Sequence, residues 1–232
     1  MFGLFNKPEQ IDADYYGLLP RIHSYLEPST YAEIGVRHGD SLLMARTARA
    51  VVGIDPAPCI RAALPPSVRV FTMTSDEFFA RHNLSQELGG APLDLAFIDG
   101  MHLFEFALRD FLNLERAASP DATILVHDCY PIDRLTAARE RATKIWSGDV
   151  WKLVLCLKKY RPDLRVSVVD IPPTGLALIR GLDPQSSVLA SQLDRLCQEF
   201  IPCDYSQIEN NKSEQLNRVE NRWHEIEAIL GR

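Results

Sequence analysis

An α/β fold with a doubly wound, mostly parallel, seven-stranded, Rossmann-like sheet is predicted by three observations. Short apolar runs alternate with helical segments along most of the 232 residues, the order expected of parallel strands joined by crossover helices. A tight glycine turn leads from the first apolar run towards a helix, and the second run ends on Asp55. The last two runs, 165–170 and 176–180, are separated by residues 171–175 alone. That is too short for a helical crossover, so these two strands form a terminal antiparallel hairpin.

Taken in order, residues 14–26 form an amphipathic helix entering the domain, interrupted at Pro20. Strand one covers 30–36, and a helix over 40–49 follows Gly39 or Asp40. Strand two is 51–55, and the proline-rich stretch 56–66 is irregular or a short helix. Strand three is 68–73, Ser75 caps a helix over 76–82, and 83–92 is a polar loop. Strand four is 93–99. The helix after it, 103–118, carries Phe104, Leu108, Phe111, Leu112 and Leu114 at helical spacing. Strand five is 122–128, followed by helical stretches over 133–146 and 149–160 and then by the hairpin.

The organisation read from this is a helical lead-in over 1–27, a cofactor-binding domain over 28–182 and a helical extension over 183–232. In the extension, Leu216, Val219, Trp223, Ile226 and Leu230 repeat at three-four-three-four spacing, an apolar seam. Such a seam docks on its own domain or pairs two copies of the chain as a homodimer.

Composition narrows the function. A hydrophobic content of 46% over this length supports one full core rather than two domains. The net charge of −6 gives no basic footprint for nucleic acid. The five cysteines lack zinc spacing and read as reduced thiols of a cytoplasmic protein. Residues 1–10 lack the pattern of a secretory leader, and no apolar run approaches the 18 residues of a membrane span.

The cofactor is read from residues 33–55. A dinucleotide site needs G-x-G-x-x-G, so that backbone and helix N-terminus approach a pyrophosphate. Here the turn reads E-x-G-x-x-x-G, with Glu33, Gly35 and Gly39, and Arg37 where the second glycine would stand. A carboxylate at the turn repels a diphosphate and pairs with a cation. S-adenosylmethionine (SAM) has no phosphate, and it carries a sulfonium and an ammonium. Asp55, about 20 residues past the turn, suits the ribose hydroxyls.

With these elements placed, residues 28–182 resemble the class I SAM-dependent methyltransferases. Within them the chain is similar to the small metal-dependent O-methyltransferases: the catechol and caffeoyl-CoA enzymes and the macrolide-sugar enzymes. The resemblance is carried by the turn EIGVRHGDS and by the blocks FIDGMH (97–102) and LVHDCYP (125–131). It implies that the backbone near Gly35 and the Ser41 hydroxyl hold the methionine end of SAM, that Asp55 holds the ribose, and that Ser75 or Asp76 meets the adenine. It implies further that Asp99 and Asp128 bind Mg2+ or another divalent cation, with Asp99 also beside the cofactor, and that His102 is the general base. Cys129 departs from the pattern, which has Asn there as a third ligand; a thiol is a poor ligand for Mg2+.

The residues themselves leave alternatives. Asp99 and Asp128 end adjacent strands and bind a cation or substrate, or cap the helices that follow. His102 is a base or a loop histidine. His127 precedes Asp128 on a strand and is expected to point away from it. His38 covers the ligand or faces solvent, and Trp146 and Trp151 read as packing. The expected activity is methyl transfer from SAM to a hydroxyl of a small molecule, a sugar or natural product. The alternatives are a non-catalytic SAM-binding protein and an NAD-dependent oxidoreductase.

Overall fold

The computed structural model describes residues 11–231; residues 1–10, read above as lacking a leader, lie outside them. The chain builds one eight-stranded sheet in the order β3-β2-β1-β4-β5-β7-β6-β8. The strands are β1 (Thr30–Ile34), β2 (Ala50–Asp55), β3 (Val68–Thr72), β4 (Leu93–Ile98), β5 (Ala118–His127), β6 (Arg165–Val169), β7 (Leu176–Arg180) and β8 (Arg218–Val219). The first five pair in parallel, and β7 is antiparallel to both β5 and β6, as the short 171–175 connection requires. The eighth strand was not expected. It is a two-residue piece of the C-terminal segment that pairs in parallel with β6.

Chain order runs outward from β1 to β3 and then restarts at β4 on the other side of β1. Ligands of open α/β sheets bind at such a reversal, at the carboxyl ends of the strands. The register makes that edge level. Ile34 aligns with Ile54 and Ile98, and Ile98 with Val126. Gly35, Asp55, Asp99 and His127 therefore stand in one row.

Side chains alternate across the sheet. Ala96, Ile98, Ile124 and Val126 enter one apolar cluster, while Leu95, Phe97 and Leu125 enter the other. The first cluster is covered by α2 (Ser75–Arg81), α3 (Leu84–Glu87), α4 (Phe104–Ala117), α5 (Trp151–Tyr160) and α6 (Leu193–Phe200). The second is covered by α1 (Tyr15–Leu26). Trp151 is buried in the first cluster, as read from the sequence.

Several local expectations are corrected. Pro20 lies inside α1 without ending it; Asp14 caps the helix and the face of Leu18, Leu19 and Ile22 is fully buried. The stretch 40–49 forms only a 3-10 turn, Leu42–Ala45, because the amides of Arg49 and Ala50 bond to the Ser29 carbonyl and leave the helical path. Thr74, not Ser75, caps α2, through a reciprocal box with Glu77. The loop 83–92 contains α3, capped by Asn83. Residues 133–146 are turns rather than helix. Asp133 and Thr136 bond to one another's backbone there, and Arg139 is drawn onto Glu105 and Asp149, so side chains compete with the helical ladder.

The C-terminal seam is also corrected. After α6 come α7 (Ser206–Glu209), α8 (Lys212–Gln215), β8 and α9 (Trp223–Leu230), so residues 216–230 are not one helix. Leu216 is buried in the first cluster, and Ile226 and Leu230 in the second, on the other face of the sheet. These three side chains complete the chain's own core. Among the described residues no helix is long and apolar enough to cross a membrane.

Candidate active site

The glycine turn is built on close approach. Gly35 has φ +91°, and a β-carbon there would lie 2.0 Å from the Asp99 carbonyl oxygen. Only glycine lets the end of β1 sit against the end of β4. Asp55 secures the same turn from β2, accepting the Arg37 amide at 2.8 Å and the Ala57 amide at 2.7 Å. Glu33 lies beneath, fully buried, with one oxygen accepting from Ser41 at 2.7 Å and the other from Tyr31 at 2.8 Å. Burial raises its carboxyl to about 8, against the opposing pull of those two hydrogen bonds.

Ser75 and Asp76 have partners of their own. Asp76 forms a two-point pair with Arg109 of α4, both contacts at 2.8 Å. The Ser75 hydroxyl bonds to Asp110, whose carboxyl is raised to about 7 by burial.

The acids ending β4 and β5 meet two imidazoles. His102 Nδ1 lies 2.8 Å from Asp128 Oδ2 and 2.9 Å from the Trp146 carbonyl. Both are acceptors, so Nδ1 carries the hydrogen and Nε2, 3.8 Å from Asp99 Oδ1, keeps its lone pair in the neutral ring. The Trp146 indole stacks on the imidazole at 5.1 Å and 9°, so Trp146 is part of the site as well as packing. Burial lowers the His102 pKa, but the bond to Asp128 and the two carboxylates outweigh it, and the net shift is upward. Gly148 holds the loop against this residue: at φ +57°, a β-carbon there would lie 1.7 Å from the His102 carbonyl oxygen.

His127 is the main site residue that the sequence reading placed wrongly. Its Nδ1 is 3.1 Å from Asp99 Oδ1 and 3.5 Å from Asp128 Oδ2. The alternation expected of a strand fails because Asp128 takes φ +65° and turns its carboxylate back to the same side. Burial works against a charge on His127, but Asp99 and Asp128 together raise its pKa to about 10. Burial likewise opposes a charge on Asp128, yet the two imidazoles hold its pKa well below the usual range.

Two further residues had no signal in the sequence. The Tyr15 hydroxyl donates to Asp99 Oδ2 at 3.5 Å, and its ring lies 4.1 Å from that of His127. Thr174, from the β6–β7 turn, donates to Asp128 Oδ1. Cys129 is fully buried in the first apolar cluster, its thiol 3.6 Å from the His127 carbonyl and its pKa raised by burial. Ligand atoms of Asp99, His102 and Asp128 all lie within 4.8 Å of one another, a spacing compact enough for a cation.

Residues 32–129 match a family model described as a methyltransferase domain. No curated protein matches the sequence. The fold is similar to that of cofactor-bound Rv0187 from MTB, at 18% identity and TM-score 0.57 over 76% of this chain and 84% of that one. It is also similar to the O-methyltransferase TomG of Streptomyces achromogenes in complex with SAM, at 17% identity and TM-score 0.56 over 77% and 85%. An O-methyltransferase from Bacillus cereus in complex with SAH gives 12% identity and TM-score 0.53 over 75% and 83%. The matched methyltransferase domain, residues 32–129, spans the glycine turn and both strand-end acids.

Proposed function

We propose that the chain transfers a methyl group from SAM to a hydroxyl of a small molecule, with His102 as the base. One observation carries this reading. Asp128 and the Trp146 carbonyl fix the His102 hydrogen on Nδ1, which leaves Nε2 as a free base beside Asp99 in the row with Gly35 and Asp55. O-methyltransferases among the similar folds support oxygen as the acceptor. The methyltransferase match displaces the NAD-dependent alternative.

SAM, bound across the turn, supplies an electrophilic methyl on sulfur. The chain's part is to align the acceptor and remove its proton. Gly35 and Ser41 would line the methionine end, and Asp55 stands where the ribose hydroxyls would be held. Ser75 or Asp76 would border the adenine end. His102 accepts the hydroxyl proton at Nε2, and Asp128 stabilises the imidazolium that results through Nδ1.

Labelled-methyl transfer to a panel of hydroxylated acceptors tests the reading, with calorimetry for SAM. His102→Ala is expected to lower turnover about 10²–10⁴-fold, the usual worth of a positioned base, with SAM affinity nearly unchanged. Normal turnover in that variant would remove His102 from the role. SAM binding without transfer to any acceptor would favour the non-catalytic alternative.

A further inference from the structure

We infer that His127 Nδ1–H occupies the bridging position between Asp99 and Asp128 that a divalent cation would take, so that this site works without a resident metal. The inference rests on the methyl-transfer reading of the same pocket.

Each of the four carboxylate oxygens has a protein donor. Asp99 Oδ1 faces His127 and Asp99 Oδ2 faces the Tyr15 hydroxyl. Asp128 Oδ1 accepts from Thr174, and Asp128 Oδ2 faces both His102 and His127. A cation binding both acids would have to break into this set. Mg2+ asks for oxygen ligands in near-octahedral array. Among the described residues, the compact cluster adds His102 to the two acids, and the rest of a Mg2+ shell would have to be water or acceptor. Spending His102 Nε2 on a metal would remove the base.

Cys129 closes the other route. The position following Asp128 holds a thiol directed into the apolar core, so no oxygen ligand comes from there. His127 has little room to withdraw. It is buried against Tyr15, and its Nε2 has no hydrogen-bond partner. Its Nδ1–H therefore has one use in the site: it relieves the repulsion between two adjacent carboxylates from the protein itself.

The test reads metal binding rather than turnover. Mn2+ binding is followed by electron paramagnetic resonance on the full chain with SAH bound. The wild type is expected to leave Mn2+ free. His127→Asn, which vacates the ring position and adds a carbonyl oxygen, is expected to bind Mn2+ at least about tenfold more tightly, in the range typical of altered metal surroundings. A second change, Asp99→Asn, should abolish that gain. Wild-type Mn2+ binding that disappears in Asp99→Asn would overturn the inference. So would a folded, SAH-binding His127→Asn protein that gains no affinity for Mn2+. If that variant does not fold, the His127 ring nitrogen resonances of the wild type are titrated with Mg2+. No change supports the inference, and a saturable shift overturns it. Failure of the chain to bind SAH at all would instead sink the methyl-transfer reading.

Discussion

One nitrogen of His102 acquires its task from what the other touches. Asp128 and the Trp146 carbonyl hold the proton on Nδ1, and Asp128 also raises the affinity of Nε2 for a second one. The sign of the pH dependence follows. A base works unprotonated, so kcat/KM should rise with pH along a limb whose midpoint lies above the ordinary histidine value of about 6.5. Asp128→Asn removes the carboxylate that raises this pKa. The limb should then move to lower pH and the plateau should fall, because the imidazolium formed in the reaction loses its partner. A pH–rate profile checks both, and an unshifted limb would mean that Asp128 does not tune His102. That Asp99, His102 and Asp128 would gather was legible from acids ending two apolar runs and a histidine three residues after the first. The place of His127 was not. It depends on the left-handed backbone at Asp128, and alternation along a strand says nothing about the residue where the strand stops.

At the level of elements, the loop before α5 holds the turn carrying His102 to the helix that follows it. Asp149, fully buried, accepts the Phe104 amide at 2.8 Å and so caps α4 from a distance of 45 residues along the chain. Its other oxygen holds Lys152 at 2.8 Å and Arg139 at 2.6 Å. Lys152 is itself buried, with the Ile201 carbonyl as a further partner at 2.7 Å. Asp149→Ala should cost about 3 kcal/mol, since it uncaps a helix and leaves a buried ammonium without its counter-charge. Denaturant titration measures the loss, and adding Lys152→Met should restore part of it. No recovery in the double variant would show that the cap, not the charge pair, carries the cost. The strands were readable because their apolar runs are short and end on acids or turn residues. Segment 133–146 was not, because its helical pattern loses to contacts with residues far away in sequence, such as Arg139 with Glu105. Tyr15 and Thr174 were equally hidden: they reach the site from α1 and from the β6–β7 turn, and nothing local marks them.

For the whole molecule, the C-terminal segment extends one edge of the sheet and completes the core on both of its faces. The segment adds β8 beside β6, where the Val168 and Asp170 amides bond to the Asn217 and Val219 carbonyls. It then crosses the sheet, placing Leu216 in one apolar cluster and Ile226 and Leu230 in the other, all three at most 1% exposed. Arg180 at the end of β7 donates to the carbonyls of Leu230 and Gly231, which ties the last helix to the hairpin. Full burial of a Leu or Ile side chain is worth about 1.5–3 kcal/mol, so three of them amount to roughly 5–9 kcal/mol. That is comparable to the whole stability of a typical domain. Ending the chain after Tyr205 should therefore give insoluble protein or one that unfolds at a much lower temperature without a cooperative transition. A seam serving only to pair two copies predicts otherwise: a soluble truncated monomer with an unchanged melting temperature. Calorimetry and sedimentation of the truncated chain separate the two, and a stable, cooperatively folding product would show that residues after 205 are not part of the core.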